Sequence, residues 1–352
     1  MRHHWLDTDF LGGLPSHMLT LGYKASAEQF GPRDLLAFAI HAERAGFESV
    51  FVSDHFQPWR NTDGHAPNAL IWLGALAMRT QRVTIGTSVL TPSFRYHPAV
   101  VAQAFATLSE LAGADRRIVL GLGTGESLNE VPLGIEWPEQ KERFARLKEA
   151  TELIQTLYRE EFVTFEGQFF RTHNAKIFDK PDRPVETWIA ASGPAAARLA
   201  GRVADGFICT SGKGMELYSE TLLPAVEEGA EKAGRPVESI ERMIEVKVSY
   251  DADRNQALRD CGIWAALALP GETKMGVDDP REMERLASQL PLEQAAIRWL
   301  VSDDPDEHVE QIRPYIELGF THLVFHAPGN NQSRFINAYA RDILPRIRER
   351  WG

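Results

Sequence analysis

Strand-like and helix-like patterns alternate along the chain from residue 19 to its end. Short apolar, β-rich runs predict eight strands, and longer segments with apolar residues every three or four positions predict helices between them. The predicted strands are Leu19–Lys24, Ser49–Ser53, Val83–Leu90, Arg117–Leu122, Thr187–Ala191, Gly206–Thr210, Met243–Tyr250 and Thr321–His326. The predicted helices are Pro32–Ala45, Ala66–Met78, Pro98–Leu111, Glu142–Tyr158, Ala195–Val203, Glu216–Ala233 and Arg334–Leu344, the last followed by Pro345. An aromatic stretch, Phe162–Phe178, predicts an inserted hairpin.

Eight strands, each followed by helical material, indicate an α/β protein with a parallel sheet. Their number and the length of 352 residues favour a closed (β/α)₈ TIM barrel over an open doubly wound sheet. Residues 19–352 show no linker-like composition, which predicts one domain. Residues 1–18 resemble an expression leader that ends in a cloning scar, so we exclude them from the fold prediction.

The amino-acid composition limits the kinds of molecule that the protein can be expected to bind. The formal net charge of −11 and the absence of a Lys/Arg run argue against nucleic acid and anionic membranes as partners. No apolar run in the sequence is long enough to span a bilayer. Two cysteines, Cys209 and Cys261, fit a reducing cytoplasm. The histidines show no metal-ligand spacing, and we predict no metal.

The most suggestive polar residues follow predicted strands, and reactive groups gather at the carboxyl ends of strands in a TIM barrel. Asp54-His55 follows the second strand, with Trp59 close behind. A histidine in this position can take a proton from a hydroxyl, and Trp59 can stack on a planar ligand. The alternative is a capping aspartate beside a surface histidine, and the strand-end position favours the functional interpretation.

Two glycine-containing turns are further candidates for ligand binding. Gly121–Glu126 lets the backbone approach a ligand closely and would place Glu126 in the site, although a plain tight turn fits equally well. Ser192–Ala197 joins a strand to a helix, and its free N–H groups suit an anion. Simple capping of that helix by Ser192 is the commoner alternative.

Several segments resemble the coenzyme F420-dependent glucose-6-phosphate dehydrogenases. They are Leu21–Phe30, Ser53–Arg60, Gly86–Pro92, Gly123–Glu126, Gly206–Gly214 and Leu323–Gly329. The resemblance runs from about residue 19 to the C-terminus. It implies a luciferase-like TIM barrel with insertions, usually a homodimer, that oxidises a sugar-6-phosphate at C1. The hydride then passes to C5 of the deazaflavin ring of F420, and the product is 6-phosphogluconolactone.

The resemblance also implies roles for individual residues. The implied catalytic residues are His55, Glu126 and Trp59. The implied cofactor-binding residues are Asp54, Ser88, Val89, Thr91, Thr124, Gly125, Asn129, Ser192, Gly193, Ala195 and Ala196, with a non-proline cis peptide at Ser88-Val89. The implied substrate phosphate-binding residues are Thr210, Lys213, Lys274 and Arg298. From pattern alone these last three charged residues are ordinary surface charges, and which of His55 and Glu126 is the acid stays open.

One position departs from the family. Met275 follows Lys274 where family members carry a histidine, and methionine cannot donate a hydrogen bond to phosphate. We interpret this as a broadening toward other sugar-6-phosphates.

Two alternative functions remain. The first is an F420- or FMN-dependent oxidoreductase of the same fold acting on a non-sugar substrate, including a flavin monooxygenase. The second is a barrel that binds F420 or a sugar phosphate without turnover. The presence of both His55 and Glu126 argues against a pure binding protein, because binding needs no proton-transfer groups.

Overall fold

The computed structural model describes residues 19–352, so the predicted leader lies outside the described residues. Its strands are β1 (Thr20–Ala25), β2 (Ser49–Val52), β3 (Thr84–Thr87), β4 (Ile118–Leu122), β5 (Val163–Glu166), β6 (Arg171–Ala175), β7 (Glu186–Ala190), β8 (Gly206–Thr210), β9 (Glu241–Tyr250), β10 (Leu300–Ser302) and β11 (His322–His326). Each of the eight predicted strands corresponds to an observed one, and β5–β6 is the predicted hairpin.

The parallel strands close into a barrel. They pair in the order β9-β11-β1-β2-β3-β4-β7-β8, and β8 pairs back onto β9. The closed (β/α)₈ barrel is therefore confirmed, and an open doubly wound sheet is excluded. The short strand β10 adds to the outside of this ring, where Leu300 pairs with Val248 on the long strand β9.

Helices connect the strands around the barrel and at its carboxyl end. They are α1 (Pro32–Arg44), α2 (Ala69–Arg79), α3 (Pro98–Ala112), α4 (Ser127–Glu130), α5 (Gln140–Arg159), α6 (Pro194–Val203), α7 (Leu223–Lys232), α8 (Arg254–Cys261), α9 (Gly271–Met275), α10 (Pro280–Ala287), α11 (Leu292–Ala295), α12 (Pro305–Glu317), α13 (Gln332–Ala338) and α14 (Leu344–Trp351). A 3₁₀ segment, Gly262–Ala268, follows α8. None of the helices in this described part of the chain is long and apolar enough to cross a membrane.

The prediction that the last helix ends at Leu344, before Pro345, is wrong. The helix continues through a π-helical turn, Tyr339–Ile343, into α14, and Pro345 lies in the first turn of α14. Because the chain is already helical before Pro345, the missing N–H interrupts the hydrogen-bond ladder, and the π-helical turn accommodates this interruption. A π-helical turn, Leu217–Leu222, likewise precedes Pro224 within the predicted helix Glu216–Ala233 and continues into α7.

The interior of the barrel changes from apolar to charged side chains along its axis. A middle layer is apolar and includes Met243 and Val324. Because alternate residues of a strand face the same side, Glu245 and His326 point inward two residues nearer the carboxyl ends. They are buried there together with Lys24 and Lys247. A charged layer therefore forms the floor beneath the carboxyl-terminal mouth of the barrel.

Candidate active site at the carboxyl end of the barrel

His55 lies just beyond β2, between two carboxylates. Its Nε2 is 3.3 Å from Glu28 Oε1 and 3.5 Å from Glu126 Oε2. Its Nδ1 is 3.1 Å from the carbonyl oxygen of Gln57. A carbonyl can only accept a hydrogen bond, so in the neutral ring Nδ1 carries the hydrogen and Nε2 keeps the lone pair. Nε2 is therefore the nitrogen that can accept a proton.

The two carboxylates differ in their surroundings. Burial opposes ionisation of Glu28, but His55, Lys24 and a 2.6 Å hydrogen bond from Ser53 outweigh it and lower the pKa of Glu28. Glu126 lies in the concave mouth, where desolvation raises its pKa and the nearby Glu28 adds to the rise, against the pull of His55 and Lys274. The pKa shifts of the two carboxyl groups are thus opposite: that of Glu28 is lowered, which favours its ionised form, and that of Glu126 is raised, which favours its protonated form.

Asp54 and Asn129 hold the loop that carries His55. Asp54 Oδ2 accepts a 2.6 Å hydrogen bond from Arg95, whose guanidinium also pairs with Glu130. Asn129 Oδ1 accepts hydrogen bonds from the backbone N–H groups of residues 56 and 57, at 2.8 and 3.2 Å. The resemblance implies cofactor contacts for Asp54 and Asn129, and the structure shows that their side-chain oxygens also order the loop next to His55.

Trp59 forms a wall of the site beside His55. The two rings are 5.7 Å apart between centroids and tilted by 51°. Trp59 packs against two apolar clusters. One joins the 3₁₀ segment to α10 and α11, and the other, which includes Trp264 and Trp299, joins the 3₁₀ segment to the end of α8 and the residues before β10. Its position is thus fixed by packing, and it limits the space next to the base.

The ends of β3 and β4 form a second wall. The Ser88–Val89 peptide bond is cis, as the resemblance implied. A Cβ on Gly123 would lie 2.6 Å from Val89 Cγ2, and one on Gly125 would lie 3.1 Å from both Thr91 Cγ2 and Trp137. Gly125 also has φ +84, which favours glycine. The glycines flanking Thr124 are therefore needed for close packing of this wall.

The start of α6 lies at the same end of the barrel. Gly193 is the residue that precedes the helix, and no side chain caps it, so the alternative of capping by Ser192 is wrong. A Cβ built on Gly193 would meet no atom within 4 Å. There is therefore open space beside Gly193, at the end of α6 where the first N–H groups have no intrahelical partner.

Three cations converge on one region of the mouth. Arg298 donates to Thr210 Oγ1 and to the carbonyl of Ser211, each at 3.2 Å. Arg298 and Lys274 also share the carbonyl oxygen of Leu267, at 3.3 and 3.0 Å. Burial, with added repulsion from Arg298 and Lys213, lowers the pKa of Lys274 to about 8. Burial and Arg298 likewise lower the pKa of Lys213. Such a group of cations suits a doubly charged anion.

Sequence reasoning missed Glu28 and the charged floor. Glu245 Oε2 is 3.1 Å from Lys24 Nζ, and Glu245 Oε1 is 3.5 Å from Lys247 Nζ and 3.3 Å from His326 Nδ1. These surroundings outweigh burial and hold the pKa of Glu245 well below its usual value. Alternating charges in the otherwise apolar strand β9 were the signal that could have revealed the floor.

Comparison with known proteins shows the family to which this chain belongs. Residues 14–322 match the model of the luciferase-like monooxygenase family. The chain belongs to the luciferase-like monooxygenase family. Within this family it is 63% identical over 330 residues to an F420-dependent glucose-6-phosphate dehydrogenase of Nakamurella multipartita, covering 94% of this chain and 97% of that protein. It is also 63% identical over 333 residues to the protein of that name from Beutenbergia cavernae, with 95% and 98% covered.

A solved structure agrees with the architecture. An F420-dependent secondary alcohol dehydrogenase, in complex with an F420–acetone adduct, superposes with a TM-score of 0.87. It is 32% identical, and the match covers 93% of this chain and 98% of that one. Because the luciferase-like family is named for monooxygenases while these relatives are dehydrogenases, membership establishes the fold and leaves the reaction to the site residues.

Proposed function

We propose that this protein is an F420-dependent dehydrogenase that oxidises glucose-6-phosphate at C1 to 6-phosphogluconolactone. The observation that carries the proposal is the presence, in one mouth, of His55 between two carboxylates and of the cation group Lys213, Lys274 and Arg298. A non-sugar substrate would leave these cations without a phosphate. The names of the two 63% identical relatives support both the cofactor and the substrate.

The residues of the second wall fit a deazaflavin with a phosphorylated side chain. Gly123 and Gly125 pack closely against Val89, Thr91 and Trp137 and so shape the wall at Thr124, and the start of α6 lies beside the open space at Gly193. Helix N-termini favour anions, so Ser192, Gly193, Ala195 and Ala196 would hold the phosphate. When bound, the deazaflavin supplies C5 as the acceptor for a hydride from the sugar.

His55 is the base in this proposal. Its Nε2 takes the proton of the C1 hydroxyl as the C1–H bond breaks and C1–O becomes a carbonyl. Glu28, ionised and 3.3 Å away, stabilises the positive charge that His55 gains. Gln57 and Asn129 keep the ring and its loop in place for this transfer.

Glu126 is the acid. Desolvation and the nearby Glu28 raise its pKa, and the resemblance implies a position near N1 of the deazaflavin. A proton donor at this edge offsets the negative charge that develops as the hydride arrives. Glu126 would give its proton to N1 of the bound deazaflavin, so that after one turnover His55 holds an extra proton and Glu126 lacks one. The 3.5 Å contact between them then allows the proton to pass from His55 to Glu126.

The phosphate of the sugar would bind to Thr210, Lys213, Lys274 and Arg298. Met275 stands next to Lys274 with its side chain 61% exposed, while its carbonyl accepts a 3.0 Å hydrogen bond from Ser127. A methionine here gives the sugar phosphate no hydrogen bond. We therefore expect comparable kcat/KM values for glucose- and mannose-6-phosphate, and strict selectivity for glucose would contradict this expectation.

We also propose a homodimer formed through α2 and α3. These adjacent helices expose large apolar side chains, with Ile71 78% exposed and Met78 64% exposed on one face of α2, and Val100 on α3. Exposed apolar patches of this kind mark interaction surfaces. A second copy of the chain can cover this patch with its own copy of the patch, related by twofold symmetry.

The free, buried cysteines Cys209 and Cys261 fit our expectation of a cytoplasmic protein.

The test is to mix the protein with oxidised F420 and glucose-6-phosphate and to follow the deazaflavin absorbance, alongside His55→Ala. We expect rapid bleaching by the wild type and almost none by the variant. Binding of F420 without bleaching would remove glucose-6-phosphate as the substrate. Failure to bind F420 would refute the proposed cofactor.

A further inference from the structure

Arg143 is a cation at the mouth of the barrel to which neither the sequence nor the relatives assign a role. It lies in the first turns of α5, four residues before the buried Leu147, on the helix face that continues with Ala150 and Ile154. Residues spaced in this way share one face of a helix, so Arg143 points toward the strands. The first turns of α5 lie at the carboxyl end of the barrel because the helix follows β4.

The guanidinium of Arg143 is only partly satisfied by the protein. It stacks over the Trp137 ring at 4.6 Å and donates one 2.9 Å hydrogen bond, to the carbonyl of Pro138. Its Nε is buried without a hydrogen-bond partner, and no carboxylate between residues 19 and 352 lies within ion-pair distance. Burial lowers the pKa of Arg143, with Glu139 as the nearby acid that partly opposes this.

Trp137 connects Arg143 to the wall formed by β3 and β4. The ring lies 5.4 Å from the Phe94 ring, and a Cβ on Gly125 would be 3.1 Å from it. The Trp137 ring therefore lies between the Arg143 guanidinium and Gly125, in contact with both. The proposed cofactor site extends from Gly125 to the start of α6, and α5 lies between β4 and β7 in the chain.

We propose that Arg143 binds an anionic group of the cofactor's side chain, a phosphate or a glutamate carboxylate, where that side chain leaves the mouth of the barrel. A guanidinium has five N–H donors in a planar fork, and such forks bind phosphates and carboxylates with two parallel hydrogen bonds. The inference rests on the proposed F420 dependence. It adds a subsite that determines how the cofactor's side chain contributes to affinity.

The same helix provides a matched control. Arg146 carries the same charge three residues further along, but its guanidinium pairs with Glu142 at 2.8 Å and stacks over Phe169 at 4.5 Å. Its charge is thus already compensated within the protein. Arg146→Gln therefore removes a positive charge from the same region, but this charge is already paired with Glu142, unlike that of Arg143.

The test measures binding by fluorescence titration, with no substrate and no turnover. Three ligands are compared: the deazaflavin–ribitol fragment without phosphate, F420 without glutamates, and F420 with several glutamates. For Arg143→Gln we expect unchanged affinity for the fragment and about ten- to hundredfold weaker binding of the anionic ligand, the range for a charge-assisted hydrogen bond. Loss with both forms of F420 identifies the phosphate as the partner, and loss with the long form alone identifies the glutamates.

Other outcomes would overturn the inference. These are unchanged binding of all three ligands, an equal loss for the phosphate-free fragment, or an equal loss in Arg146→Gln. Arg143→Lys keeps the charge without the fork and should bind with intermediate affinity, which keeps the test decisive if the glutamine variant is unstable. If the wild type binds none of the three ligands, the proposed cofactor itself is wrong, and this inference fails with it.

Discussion

Replacing Glu28 by glutamine removes the negative charge that faces the proposed base. The carboxylate oxygen is 3.3 Å from His55 Nε2, and two unit charges at that distance attract by about 5 kcal/mol at an effective dielectric constant of about 20. The amide keeps part of this interaction as a hydrogen bond. The net loss should therefore be close to that of a charge-assisted hydrogen bond, about 1.5–3 kcal/mol.

The expected effect of Glu28→Gln is a fall in kcat of about ten- to hundredfold, since about 1.4 kcal/mol changes a rate tenfold. The charge on His55 develops only as the proton is transferred, so the dissociation constant of F420 should not change. Ser53→Ala, which removes the 2.6 Å hydrogen bond to Glu28, should give a smaller fall of about three- to tenfold. Stopped-flow absorbance measures the rates, and fluorescence titration measures cofactor binding.

A rate for Glu28→Gln within about twofold of the wild type would refute the role of Glu28, provided that His55→Ala is inactive in the same assay. Loss of F420 binding in Glu28→Gln would also contradict the reasoning, because it would show that Glu28 supports the structure of the site. Glu28→Asp should recover part of the rate, because it restores the charge at a slightly greater distance.

Three further predictions concern other parts of the molecule. Lys274, with a pKa lowered to about 8, is charged below that pH and neutral above it, so kcat/KM for glucose-6-phosphate should fall as pH rises through about 8. Lys274→Arg should abolish this fall in a pH–rate profile. Arg95→Met leaves Asp54 and Glu130 buried without their cation, and denaturant unfolding should show a loss of about 3–5 kcal/mol. Ile71→Glu places a charge in the proposed dimer patch and should shift sedimentation from dimer to monomer, while an unchanged dimer would mean that another surface forms the interface.

Periodicity predicted the barrel because each parallel strand is a short apolar run and its neighbouring helices are long and amphipathic. It gave no strand for Leu300–Ser302 and no helices between Arg254 and Glu317. Most of these elements are short, and β10 has only three residues, so their patterns are too brief to stand out. The exception is α12, which has 13 residues and an apolar face that includes Val309, Ile312 and Ile316, but which was not recognised in the sequence. The 3₁₀ segment, the end of α8 and the residues before β10 pack together around Trp59, Trp264 and Trp299, which are distant in sequence.

The candidate site was predicted in part. Strand ends pointed to His55 and Glu126, and the structure brings them within 3.5 Å. Glu28 also follows a strand, but nothing local distinguishes it from a surface acid. Its position against His55 depends on closure of the barrel. The grouping of Lys274 and Arg298 around the Leu267 carbonyl is likewise a product of tertiary folding, since each alone resembles a solvated charge.

The central claim is that a hydride moves from C1 of glucose-6-phosphate to the deazaflavin. The most direct measurement uses glucose-6-phosphate deuterated at C1 and mass spectrometry of the reduced cofactor. We predict that one deuterium is transferred from each sugar to C5 and that the single-turnover rate is slower than with the unlabelled sugar. Reduced cofactor without deuterium, or no reduction while F420 and the sugar are both bound, would contradict the claim.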